Sequence, residues 1–153
     1  MRIREFKAEL WLPRRQEEVF SFFSDAANLD LITPPWLHFR MVTASPVKME
    51  PGALIDYRLR IRGVPLRWRT RITEWNPPVG FVDEQLHGPY RLWHHEHQFE
   101  PSNGGTLARD RVRYAVPFDF VTHRFVRSDI ERIFAYRQAK LRSLFPRSEN
   151  HKR

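Results

Sequence analysis

The chain has 153 residues, 26 basic against 18 acidic for a net charge of +8, and 14% of it is aromatic. That length suits one domain with a real core, and the lack of cysteine excludes disulfides, thiolate metal sites and cysteine nucleophiles. No apolar run approaches the roughly 18 residues of a membrane span, and the N-terminus lacks a signal-peptide apolar core, so a cytoplasmic setting is expected.

The first predicted element is a strand over "RIREFKAELWL", with Phe6, Ala8, Leu10 and Leu12 near one face. "PRRQEEVFSFFSD" follows as a short helix that Pro13 suits as a start, with Val19, Phe20 and Phe23 as its apolar stripe. "AANLDLITPPW" is a second short helix, stopped by Pro34 and Pro35.

From Trp36 to Pro117 the pattern predicts strand after strand. "WLHFRMVTAS" is the second strand and "ALIDYRLRI" the third. In the third, Ile55, Tyr57, Leu59 and Ile61 share one face, while Arg58, Arg60 and Arg62 share the other. "PLRWRTRITEW" is the fourth, with Leu66, Trp68, Thr70 and Ile72 against Arg67, Arg69 and Arg71. Gly63-Val64 reads as a two-residue type II′ loop. That loop pairs Leu59 with Trp68 and Tyr57 with Thr70. It also sets Arg60 opposite Arg67 and Arg58 opposite Arg69, and like charges so placed are unfavourable without water, carboxylates or an anionic partner.

"GFVDEQLH" and "YRLWHHEHQFE" are strands five and six, joined near Gly88-Pro89. Strand seven is "TLARDRVRYAVP", after the turn Asn103-Gly104-Gly105, with Ala108, Asp110, Val112 and Tyr114 on one face. Ser128 and Glu131 read as a capping box that opens a helix over 128–145. Its stripe is Ile130, Ile133, Phe134, Leu141, Leu144 and Phe145, with Arg137 on it. "FDFVTHRFV" before it is a separate short helix or an early start of the same one. Residues 1–146 are expected to form the domain and 147–153 a polar tail.

This order is α+β: an antiparallel seven-stranded sheet with one apolar face, two short helices after strand 1, and a long C-terminal helix to cover that face. The sheet is expected to curl around the helix and leave a pocket between them.

Alternation along strand six divides "WHHEHQF". His95 and His97 share parity with Trp93 and Phe99 and turn inward; His94 and Glu96 turn outward. Asp110 is expected opposite His95 or His97. Whether Asp83 and Gln85 or Glu84 faces the pocket depends on the turn at Gly88-Pro89. The candidate binding residues are therefore Tyr57, Trp68, Asp83, Gln85, Trp93, His95, His97, Phe99, Asp110, Tyr114 and Arg137.

A metal site here would take His95 and His97 with Asp110 as third ligand and Asp83 as a candidate fourth, but no H-x-x-x-H or HExxH spacing is present, and neither a metal nor another cofactor is expected. Acid–base catalysis would use an imidazole held by Asp110. A satisfied buried network of the same groups is the plain structural alternative. No G-x-S-x-G, P-loop or G-x-G-x-x-G occurs.

Phe81, Asp83, Gln85, Gly88, Pro89, Tyr90, Trp93, His95, His97 and Phe99, then Gly105, Thr106, Asp110, Tyr114 and Pro117, together with "IFAYRQAKL" at 133–141, resemble the START-like or Bet v 1-like superfamily, the SRPBCC proteins. Within it the chain is similar to a bacterial ligand-binding group near the polyketide cyclase/dehydrase and lipid-transport relatives. The resemblance implies the helix-grip fold over about residues 1–146. The expected function is binding of a small hydrophobic or aromatic molecule between sheet and helix. The alternative is a cyclase- or dehydratase-like enzyme using His95, His97 and Asp110. Binding of RNA or an acidic protein through the outer arginines ranks third, and the oligomeric state is not readable.

Overall fold

Period-two alternation of apolar residues marks the predicted strands, and the computed structural model joins them into one sheet with a single apolar face. The structure describes residues 1–147; the end of the expected polar tail lies outside them. The strands are β1 (Arg4–Leu12), β2 (Arg40–Met41), β3 (Leu54–Ile61), β4 (Val64–Asn76), β5 (Gly80–His87), β6 (Leu92–Ser102) and β7 (Gly105–Ala115). They form an antiparallel sheet in the order β1-β7-β6-β5-β4-β3-β2. Helix α1 (Gln16–Ser24) follows β1, and α2 (Asp119–Leu144) closes the chain. The sheet curls around α2 in the helix-grip arrangement.

On α2 the buried residues are Ile130, Phe134, Arg137 and Leu141, one stripe at helical spacing. The inner face of the sheet forms two apolar clusters against the helices. One gathers Leu10, Leu12, Val19, Phe20, Ile72, Phe81, Phe99 and Leu141. The other gathers Phe6, Val112, Tyr114, Val116, Ile130 and Phe134. Gln16 ties the start of α1 to the sheet by donating to the Phe99 carbonyl at 2.8 Å.

Several sequence expectations shift. Strand two is only Arg40–Met41, because Pro35–Leu37 forms a 3-10 turn that ends on left-handed His38. The second short helix is a 3-10 helix over Ala26–Ile32, capped by the Asp25 carboxylate on the Ala27 amide at 3.0 Å. Pro35 starts the next turn rather than only stopping this one. Helix α1 begins at Gln16, three residues after Pro13.

The β3–β4 loop is Arg62-Gly63, not Gly63-Val64. Both residues have positive φ, 51° and 83°, the type I′ signature. The register is therefore two residues from the expected one: Leu59 faces Leu66, Tyr57 faces Trp68 and Arg58 faces Arg67. A slip of two keeps every side chain on its face. It also sets Arg69 opposite Asp56, which accepts from its guanidinium at 2.8 Å, and Arg60 opposite Pro65, so neither expected arginine pair forms. A different one replaces them: Arg58 faces Arg67, and Arg40 on β2 faces Arg58 in turn.

Helix α2 begins at Asp119, nine residues before the expected capping box. Phe118 caps it in a left-handed conformation, and Glu131 pairs with Arg127 instead of reaching back to Ser128. The early turns expose Phe118 at 70% and Phe125 at 61%.

Candidate functional site

Three neighbouring strands place the polar centre. Asp83 on β5 lies directly opposite His95 on β6, and Asp110 on β7 lies opposite His97. Inward parity then brings all four side chains under α2. His95 and His97 are 5% and 6% exposed, and their rings stack with centroids 3.7 Å apart. Phe81 stacks on the far side of His97 at 4.1 Å. Phe134 approaches His95 at 5.7 Å. The imidazole pair thus bridges the two apolar clusters.

The hydrogen bonds run on the diagonal. His95 Nε2 donates to Asp110 Oδ1 at 2.7 Å, and His97 Nε2 donates to Asp83 Oδ2 at 2.6 Å. The remaining ring nitrogens face carboxylates at longer range. His95 Nδ1 lies 3.9 Å from Asp83 Oδ2, and His97 Nδ1 lies 3.6 Å from Asp110 Oδ1. His97 Nδ1 is buried and has no hydrogen-bond partner. Arg137 descends from α2 with Nη2 3.6 Å from Asp110 Oδ1, its guanidinium against the rings of Phe23 and Phe134.

Burial pushes the Asp110 carboxyl up, but the Arg137 charge and the His95 hydrogen bond outweigh it, holding this group well below the usual carboxylate range. Burial likewise opposes ionisation of Asp83, and the hydrogen bond from His97 with the surrounding cationic groups wins there too. Burial, then repulsion from His95, brings His97 down to about 4 against the pull of Asp83. Both aspartates are therefore acceptors only.

A cavity of about 200 Å3 lies between sheet and α2. Of the expected residues it is lined by Tyr57, Trp68, Asp83, Trp93, His95, His97 and Arg137. Trp68 is the hub of its aromatic wall, stacked on Tyr57 at 5.9 Å and set edge-on to Trp93 at 5.6 Å. Burial raises the Tyr57 hydroxyl, which lies 3.3 Å from Thr70 Oγ1.

Four expected residues do not line the cavity. Phe99 packs into the first apolar cluster and Tyr114 into the second. Gln85 is spent on the β5–β6 turn, donating to the Tyr90 carbonyl at 2.7 Å and accepting from its amide at 3.0 Å. Asp110 stands behind the imidazoles. The β5 ambiguity is resolved by the turn: Asp83 faces in, and Glu84 faces out to pair with His94.

The sequence reading missed the walls given by Phe22, Phe23, Leu29, Ile32, Phe39 and Met49. These come from α1, the 3-10 helix and the loop before β3, where no strand parity marks a face, and, for Phe39, from the residue just before the short β2. A second recess of about 570 Å3, beside the Arg62-Gly63 turn and the start of α2, shares Leu37, Ile61, Tyr90 and Ile133 with the cavity.

On the outer face, Arg109 and Arg111 are matched by Glu9, Glu100, Glu5 and Glu96. Among the described residues, Arg40, Arg58 and Arg67 make no ion pair, although they stand in one row across β2, β3 and β4. No described helix is long and apolar enough to cross a membrane.

Residues 12–139 match the model of the polyketide cyclase / dehydrase and lipid transport family. No curated protein matches the chain. Among solved structures, protein CV1439 from Chromobacterium violaceum is similar with TM-score 0.74 at 13% identity, over 95% of this chain and 99% of that one. Zhui aromatase/cyclase from Streptomyces sp. R1128 gives TM-score 0.73 at 11% identity, over 92% of each chain. Major latex-like protein 151 from Panax ginseng gives 0.70 at 9% identity, over 94% of this chain and 98% of that one. At such identities the likeness is one of fold.

Proposed function

Because the chain belongs to the polyketide cyclase / dehydrase and lipid transport family, we propose that it holds a small hydrophobic or aromatic molecule between its sheet and α2. One observation carries this reading. The cavity walls are mostly aromatic and aliphatic; Asp25 and Asn28 in the lining are engaged by local backbone, and the other strongly polar groups converge in one patch, Asp83, His95, His97 and Arg137. Apolar walls with few convergent polar groups are the ordinary make-up of a ligand site. A cavity of about 150 Å3 accepts benzene, so 200 Å3 suits an aromatic ring system carrying one polar substituent.

The test is fluorescence titration with 2-naphthol and 2-naphthoic acid. Trp68 and Trp93 stand in the wall, so saturable quenching is expected. Leu29→Phe, at a half-buried wall position, is expected to weaken binding at least tenfold while the fold persists. Absence of saturable quenching by either probe, with nothing seen to co-purify by native mass spectrometry, overturns the reading.

A second reading, proton-transfer catalysis of the cyclase or dehydratase kind, is favoured by the His95–Asp110 bond. That bond fixes the proton on His95 Nε2 and leaves Nδ1 as a base. His95→Gln would then abolish turnover of a carbonyl substrate and spare naphthol binding. Unchanged turnover removes this reading and leaves the first intact.

A further inference from the structure

The buried centre is short of cations. An ionised carboxylate donates no proton, so the 2.7 Å contact with Asp110 puts the His95 proton on Nε2. A lone pair then sits on His95 Nδ1, and it faces Asp83 Oδ2 at 3.9 Å. The 2.6 Å contact with Asp83 puts the His97 proton on Nε2, so the lone pair of His97 Nδ1 faces Asp110 Oδ1 at 3.6 Å. In its neutral form each imidazole thus turns one acceptor toward another acceptor. His97 Nδ1 is an orphan on a side chain only 6% exposed, and such groups need a reason.

We propose that Asp83, His95 and His97 bind one divalent transition-metal ion, with Asp110 as the carboxylate behind both imidazoles. Asp83 Oδ2, His95 Nδ1 and His97 Nε2 are the ligand atoms. One donor atom from each of these three residues lies within 4.8 Å of the others. Metal–nitrogen and metal–oxygen bonds of about 2.0–2.2 Å put ligand atoms roughly 3.0–3.4 Å apart. The 2.6 Å contact must therefore open and the 3.9 Å contact close. The rings, 26° apart, must turn so that their lone pairs converge.

The ion answers both mismatches. It takes the place of the proton on His97 Nε2, and that proton moves to Nδ1, where Asp110 accepts it; none is lost. Both imidazoles then donate to one carboxylate, the usual second partner of a metal-bound histidine. The layering fits as well: the three ligands line the cavity and Asp110 does not. Open coordination positions therefore face the cavity. Charge also points this way. Two carboxylates and Arg137 sum to −1; a dication makes +1, and an anionic oxygen from the cavity brings the centre to zero. Two histidines and one carboxylate with open positions suit zinc or ferrous iron. The sequence alone leads to no expected metal, with Asp110 as third ligand of any site and Asp83 as fourth; in this proposal Asp83 is the ligand and Asp110 stands behind it.

The experiment is calorimetric titration of chelator-treated full-length protein with Zn2+ alone and with Co2+ alone, no organic molecule being present. One equivalent is expected, with a cobalt ligand-field spectrum and a 15N NMR change of His97 from the Nε2–H to the Nδ1–H tautomer. Asp83→Asn and His97→Gln are expected to abolish this uptake, and Asp110→Asn to weaken it 10- to 100-fold at unchanged stoichiometry. Leu29→Phe is expected to keep the ion while losing naphthol, which separates this proposal from the binding reading. No saturable uptake by the unmodified protein overturns the proposal. So does uptake that persists in both Asp83→Asn and His97→Gln, which would locate the ion elsewhere.

Discussion

His97 and Asp110 are partners in the β6–β7 ladder, yet Asp110 takes its 2.7 Å hydrogen bond from His95, two residues along β6. Diagonal neighbours in a sheet are within reach of long side chains, and the crossing gives each aspartate a full charge-assisted bond. Double-mutant cycles in urea are expected to give His95–Asp110 a coupling of about 1–3 kcal/mol, and the ladder pair His97–Asp110 less than about 1 kcal/mol. Equal couplings would mean that the diagonal bond carries no special weight.

Acid is expected to destabilise the fold in two stages. His97 titrates near 4 when folded, below the 6.5 of a free imidazole. The unfolded chain therefore binds the extra proton first as pH falls, and stability is lost between about pH 6.5 and 4. A loss of up to about 3 kcal/mol follows from that shift at 1.36 kcal/mol per unit. Asp83 and Asp110 are both depressed, so their contribution is present above the ordinary carboxylate range and is lost below it. Urea midpoints against pH, for the natural protein and for His97→Gln, check this: the variant is expected to be flat between pH 6.5 and 5.

Arg58 has like charges on both sides, Arg40 on β2 and Arg67 on β4. Opposite charges across strands contribute about 0.2–1 kcal/mol and like charges cost a similar amount. Arg58→Glu is therefore expected to raise the urea midpoint at low salt, by about 1 kcal/mol in stability, with the gain shrinking in 0.5 M salt. A lower midpoint would mean that the arginine stems, not their charges, decide the stability of this edge.

Ser128 lies inside α2, nine residues after its first residue, and is exposed. Ser128→Ala is expected to change stability by less than about 0.5 kcal/mol, in the stabilising direction of helix propensity. A true N-cap would cost about 1 kcal/mol on the same change. Thermal denaturation separates the two outcomes.

Parity was the most legible property of this chain. It is local, and it assigned His95, His97, Trp68 and Asp110 to the inner face without knowledge of any partner strand. Register is a relation between strands, and it was misread at Arg62-Gly63 because an arginine with φ 51° leaves little trace in composition. The early turns of α2 were ambiguous for a different reason. Phe118, Val121 and Phe125 face solvent, so they do not extend the buried stripe that marks the rest of the helix. Gln85 shows the limit of parity: it points inward, but its amide is consumed by the backbone of Tyr90. The α1 stripe that includes Phe23 was legible, but that α1 and the 3-10 helix wall the cavity could be found only by folding the chain, since a stripe marks a buried face and not what it faces.

Four side chains, Leu37, Ile61, Tyr90 and Ile133, belong at once to the inner cavity and to the recess at the start of α2. In the binding function proposed above, this partition of side chains would act as a valve. A guest would pass it by rotamer hops, with no hinge or helix displacement needed. The bulk of the partition would govern residence time, while the aromatic wall and the buried polar centre would govern affinity. Trimming Ile133 would hasten arrival and departure together and leave the equilibrium almost where it was.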